Sequence, residues 1–182
     1  MTSASNDELN RRMMRLEDVE AIRRLKALYC VHADERGDAA AQAFADLFVD
    51  EAVIDEGEEF GSIVGRARIR ELHPVLWTHL RLNQHLAFSP VIDVQGDEAT
   101  GHWRLLQLST TIHPDGDRAF WACGDYRERY RRTATGWKFV EVVARVHFCC
   151  PYEDGWVKTP FAAFLPADAM TSLTAPALTT PV

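Results

Sequence analysis

The chain has few of the residues that staple small domains or anchor them in membranes. Its four cysteines, Cys30, Cys123, Cys149 and Cys150, are scattered over 182 residues, with no CxxC pair and no Cys/His set of zinc type. Adjacent Cys149 and Cys150 would project to opposite faces of a strand. All four read as small buried hydrophobes in a reducing compartment. No run approaches the roughly 18 apolar residues a membrane span requires. The opening MTSASNDELNRRMM lacks the apolar core of a secretion signal, so a cytoplasmic protein without membrane contact is expected. Positive charge is scarce: Lys and Arg number 20 against 27 Asp and Glu, for a net charge of -7. That balance argues against nucleic acid as a partner, because such binding rests on cationic contacts to phosphates. The one basic concentration, Arg127, Arg129, Arg131 and Arg132, reads as a solvated strand face with Glu128 among it. The histidines show no HxH or HxxxH spacing, and there is no GxSxG, P-loop or GxGxxG motif. No metal and no cofactor is expected.

What is present organises around Leu16 to Asp38. Apolar residues at Leu16, Val19, Ile22, Leu25, Leu28 and Tyr29 recur every three or four positions, which predicts a helix with one buried stripe. Glu17, Glu20, Arg23, Arg24 and Lys26 fall on the opposite, water-facing side. The stripe then ends on Tyr29, Cys30, His32 and Asp34 just before Gly37, where a core helix would ordinarily finish on aliphatic residues. A second short helix is expected in AAAQAFADLF with Phe44, Leu47 and Phe48 inward. A strand at EAVID, the acidic loop EGEEFGSIVG and a third helix over 66–80, with Pro74 inside it, follow.

Beyond residue 80 the period changes from three-and-four to two. NQHLAFSPVIDV, EATGHWRLLQLSTTI, RAFWACGDYRERYRR and GWKFVEVVARVHFCC are four strand candidates, parted by the turn sequences QGD, HPDGD and TATG. Helices followed by meandering strands predict one α+β domain, a cone-shaped α+β barrel with a largely antiparallel sheet and three N-terminal helices enclosing a pocket. The strands exceed the usual length of about 5–6 residues, so the sheet must be strongly bent or bulged. The expected organisation is a flexible N-terminus over 1–14, the domain over 15–165, and a disordered tail over 166–182. Within the domain, the aromatic segment from about 150 should cap the pocket or pack on a neighbouring subunit.

Several of these segments together resemble the SnoaL-like group of the nuclear transport factor 2-like superfamily. They are the helix ending in Tyr29 and Asp34, the Phe44 to Phe48 segment, EAVID, GRARIREL, NQHLAFSP with His85, DEATGHW, and the hairpin DYRERYRRTATGWKF. In motif the chain is most similar to scytalone dehydratase, bile acid 7α-dehydratase and hexachlorocyclohexane dehydrochlorinase, which use a His and Asp pair in a cofactor-free pocket. The resemblance implies a pair at His85 and Asp34, a tyrosine at Tyr29, and an arginine near Arg145, where a slip of one residue would substitute Val146. Gln107 stands where the bile acid enzyme carries a second aspartate. The resemblance also implies a homo-oligomer, a trimer or else a dimer.

Histidine titrates near neutrality and suits removal of a proton beside a carbonyl or a leaving group. A carboxylate on the imidazole fixes its tautomer and stabilises the imidazolium. On this reading His85 is the general base, Asp34 orients it, and Tyr29 donates to the developing enolate or the departing oxygen. Arg145 supplies positive charge. Phe88, Trp103, Leu105, Trp121, Val143 and the tail aromatics would line the pocket with Gln107. His147 shares a strand face with Arg145, so both should line the pocket or neither.

Each residue has a plainer alternative: Tyr29 as a core tyrosine, Asp34 as a helix-end residue, His85 as a structural strand histidine. The expected function is a cofactor-independent lyase, a dehydratase acting on a hydrophobic cyclic or aromatic hydroxylated small molecule. The alternatives are a formaldehyde-releasing retro-aldol lyase, an isomerase, or a non-catalytic small-molecule-binding or protein-interaction domain. The last requires that Tyr29, Asp34 and His85 do not converge.

Overall fold

The computed structural model describes residues 3–57 and 61–166; the expected tail from 166 therefore falls almost wholly outside the described residues. Helix α1 (Ser3–Ala33) begins earlier than the apolar stripe and is followed by α2 (Asp38–Ala45), β1 (Phe48–Asp55), β2 (Ser62–Val64) and α3 (Arg66–Trp77). Four long strands complete the domain: β3 (Leu80–Gln95), β4 (Glu98–Thr111), β5 (Arg118–Thr133) and β6 (Gly136–Pro151), with a short α4 (Gly155–Lys158) after them. Leu80, placed by its spacing on the third helix, instead opens β3, because α3 stops at Trp77. No helix among the described residues is long and apolar enough to cross a membrane.

The six strands form one curved, open sheet in the order β2-β1-β6-β5-β4-β3. All neighbours are antiparallel except β1 and β6, which run parallel. The expected bending is carried by bulges. On β3 the register against β4 shifts between Phe88 and Val91, where Ser89 takes a positive φ of 52° just before Pro90. The extra residue moves the inward set from Asn83, His85 and Ala87 to Ile92 and Val94, both packed on the core. On β6 the register against β5 shifts twice, each time exchanging the faces of the residues beyond.

The helices close the sheet's concave side. Along α1 the buried positions are Ile22, Leu25, Lys26 and Tyr29, one face at three-and-four spacing. Leu16, expected on that face, is 70% exposed. Its place is taken by Asp18, whose two carboxylate oxygens accept from the Arg132 guanidinium at 2.6 and 2.7 Å, and one of them from Trp137 at 3.1 Å. Phe44, Leu47 and Phe48 turn inward as their pattern predicts, and join Phe139, Tyr126 and Tyr130 around Tyr29. Burial of each such side chain contributes on the order of 1.5–3 kcal/mol.

Gly124 shows how tightly the bend is built. It faces the β6 bulge, and a Cβ there would fall against the backbone carbonyl of Arg145 and the Cα of Val146. Backbone cannot move aside as a flexible side chain can, so Gly124→Ala is expected to destabilise by about 1–3 kcal/mol in denaturant melts. An unchanged midpoint would mean that the bulge relaxes freely.

Candidate active site

Asp34 sits just past the last turn of α1, its amide bonded to the Cys30 carbonyl at 3.1 Å. Beside it runs β3, the edge strand of the sheet, whose outward amides have no strand to pair with. Asp34 answers two groups of one residue. Its Oδ2 accepts the His85 backbone N–H at 2.7 Å, and its Oδ1 lies 2.6 Å from His85 Nδ1. A carboxylate only accepts, so Nδ1 carries a proton in this contact, and it is Nε2 that has the lone pair whenever the ring is neutral. Both side chains are largely withdrawn from solvent, at 12% and 13% exposure, so the pair is held in one geometry by charge-assisted bonds.

His85 and Tyr29 border one cavity of about 1010 Å³ under the helices. The Tyr29 ring stands edge-on to the His85 imidazole, centroids 6.4 Å apart. Burial drives the Tyr29 phenol well above its ordinary value, with the charges of Glu56 and Glu128 adding to the shift. Tyr126, which borders the same cavity with its ring edge-on to Tyr29 at 5.9 Å between centroids, is raised by burial in the same way. Both therefore remain protonated at neutral pH and act as hydrogen-bond donors.

The cavity wall is apolar where Phe44, Ile54, Ile69, Leu72, Leu105 and Phe164 face it, and polar in a few places. On one side Gln107 Nε2 donates to Asn83 Oδ1 at 2.8 Å and to Ser109 Oγ at 3.3 Å, while Ser109 Oγ donates to Asn83 Oδ1 at 2.8 Å. With its amide nitrogen so engaged, Gln107 keeps a carbonyl oxygen to which no side chain among the described residues donates. At the rim Arg145 lies 3.3 Å from Asp55, and Val146 borders the cavity as well. His73 also contributes to the wall, its Nε2 bonded to the His32 carbonyl at 2.9 Å, and burial lowers its pKa, so the ring is neutral.

The tail supplies the last part of the wall. Cys149 and Phe161 form an isolated parallel bridge, which brings Phe161 and Phe164 to the cavity, while Leu165 is fully buried. Tyr152 and Trp156 do not reach it: they stack on Trp121 and Phe148.

Four residues expected to bind substrate lie elsewhere, each for a reason of strand geometry. Phe88 has the opposite parity to His85 on β3 and is 46% exposed. Trp121 alternates with the inward pair Phe120 and Ala122, so it faces outward onto Tyr152. Trp103 faces inward, but one step beyond Leu105 it donates to the Tyr130 hydroxyl at 3.0 Å and borders, with Phe88, a second recess that His85 also lines. His147 is the extra residue of the β6 bulge, and its Nε2 lies 3.0 Å from Asp125, which also holds Arg104 and His102. The bulge breaks the alternation that would have tied His147 to Arg145. Val143, an expected wall residue, is likewise absent from the cavity lining.

Beneath Tyr29 lies a group that the pattern placed in water. Lys26 is 1% exposed; its Nζ contacts Glu128 Oε1 at 2.5 Å. The same ammonium lies 4.0 Å from the Tyr29 ring centroid and 3.4 Å from that of Tyr126. Glu128 also accepts from the Tyr130 hydroxyl. Glu128 is therefore a buried inward residue, while Arg127 and Arg129 on the other face are exposed. The signal was available: Tyr126, Glu128 and Tyr130 alternate, and Lys26 stands four residues after Ile22 and three before Tyr29. No described group of three or more His, Cys, Asp or Glu residues has a metal-holding arrangement. Cys30, the cysteine nearest the pair, has its thiol pKa raised by burial, which disfavours a thiolate.

A family model for the SnoaL-like domain matches residues 14–143, and no curated protein matches the sequence. Among solved structures, a candidate aromatic ring hydroxylase from Novosphingobium aromaticivorans is 25% identical with a TM-score of 0.67, over 76% of this chain and 96% of that one. A candidate scytalone dehydratase from the same organism is 23% identical with a TM-score of 0.66, over 76% and 89% of the two chains. The type 3 hexachlorocyclohexane dehydrochlorinase of Novosphingobium barchaimii is 22% identical with a TM-score of 0.66, over 77% and 93%. At 22% and 23% identity the last two show a shared fold.

Proposed function

The chain belongs to the SnoaL-like domain family, and from that premise we propose that it is a cofactor-independent lyase of the dehydratase type. The observation that carries this reading is the His85 and Asp34 contact at 2.6 Å beside an otherwise largely apolar cavity. His85 Nε2 takes a proton from carbon, and Asp34 stabilises the imidazolium that results. Tyr29, protonated and adjacent, donates to the enolate oxygen as charge builds there. Gln107 accepts from a substrate hydroxyl, and Arg145 at the rim attracts a negatively polarised group. A cavity of about 1010 Å³ with such walls suits a hydrophobic ring compound bearing a few oxygens. The names of two fold neighbours, a dehydratase and a dehydrochlorinase, both denote eliminations.

The test is turnover of a panel of hydroxylated alicyclic and aromatic compounds by the purified protein, with chelator present, read by mass spectrometry. Loss of the mass of water from at least one compound is expected. Tight binding of a member with no turnover of any would make the chain a binding module.

A further inference from the structure

Glu56 entered the sequence reading only as part of an acidic loop, yet it occupies the cavity. It follows β1, whose inward residues Ala52 and Ile54 are buried at 0% and 3% exposure, and it continues that alternation to the cavity wall alongside Ile54. Its backbone is pinned: the Glu56 amide donates to the Gly61 carbonyl at 3.0 Å, and the preceding Asp55 accepts from the Gly57 amide at 2.9 Å. Asp55 also borders the cavity, but its carboxylate is engaged by Arg145 and by the Gly57 amide. Among the described residues none donates a hydrogen bond to the Glu56 carboxyl, although it shares the cavity with His85, Tyr29 and Tyr126. Asp34 is already committed to His85 through both oxygens. That leaves Glu56 as the unengaged carboxyl in the site.

We propose that Glu56 is the general acid of the elimination, delivering a proton to the departing hydroxyl while His85 removes one from carbon. This rests on the lyase reading above. The step balances: the C–H pair becomes the new carbon–carbon double bond, and the C–O pair leaves with oxygen. The proton from the Glu56 carboxyl converts hydroxide to water. The products are the alkene, water, a Glu56 carboxylate and a His85 imidazolium, and proton return from His85 to Glu56 through solvent restores the site. Burial raises the Glu56 pKa above that of an ordinary carboxyl, against the opposing pull of His85 and Lys26, so the acid form persists to higher pH than in water.

The experiment compares a bicyclic β-hydroxyketone with its β-acetoxy counterpart, since acetate departs without a proton. Glu56→Gln, close to isosteric, is expected to lower kcat by about 10²–10⁴ on the hydroxyl compound. On the acetoxy compound it should retain wild-type kcat within a few-fold, with a thermal midpoint near that of the wild type. His85→Ala should fail on both. Equal activity of Glu56→Gln and wild type on the hydroxyl compound, with His85→Ala inactive, overturns the role of Glu56 and leaves the base intact. Equal loss of Glu56→Gln on both compounds also overturns it, because a structural defect ignores the leaving group. Absence of wild-type turnover of this pair and of every hydroxylated compound in the panel overturns the elimination reading itself.

Discussion

Lys26→Met is expected to destabilise the protein by about 3–5 kcal/mol, because it strands the Glu128 carboxylate in the core. Both side chains are almost completely buried, and the contact between them is direct. Methionine can follow the lysine stem between Tyr29 and Tyr126 but cannot replace the ammonium. For a chain of this length the midpoint should fall by roughly 6–20 °C. Adding Glu128→Leu should return much of that loss, since a buried pair replaced as a unit by apolar groups is often tolerated. A thermal melt of the two single variants and the double variant checks this. A Lys26→Met midpoint within a degree or two of wild type would mean that the pair contributes nothing and that Tyr29 is positioned by packing alone.

His85→Ala is expected to lower kcat by about 10²–10⁴ while the fold persists. The side chain stands at a cavity wall, not inside a packed core, so its removal enlarges an existing space instead of opening a new void. The Asp34 carboxylate it leaves behind still accepts from the backbone amide of residue 85. Added imidazole should occupy the vacated volume beside Asp34 and restore part of the rate, which a purely structural histidine would not permit. Turnover kinetics with and without imidazole, beside a thermal melt, read out both parts.

The bent α+β architecture was legible because its signals are periodic: three-and-four spacing along α1 and two-residue spacing along β3 to β6 survive in the sequence alone. The His85 and Asp34 contact was legible through motif resemblance, since nothing in the spacing of residues 34 and 85 shows that an edge-strand amide would meet a helix-end carboxylate. The wall residues were harder. Phe88 and Trp121 look like pocket aromatics by composition, but strand parity turns them outward, and parity was knowable only where no bulge intervenes. His147 could not have been placed without the β6 bulge beside it. Lys26 and Glu128 share the spacing of buried neighbours, but charged residues are almost always solvated unless paired, and the pairing that buries them spans 102 positions, beyond any local pattern. Glu56 was lost in a loop whose sequence reads as solvent-facing.

The proposed elimination requires that His85 take a proton from carbon. The most direct test is to incubate wild type and His85→Ala with a turned-over panel compound carrying deuterium at the carbon that loses its proton. Wild type should show a primary isotope effect on kcat/KM and release the label to solvent, and the variant should release none above background. Label release by His85→Ala at the wild-type rate would contradict the account.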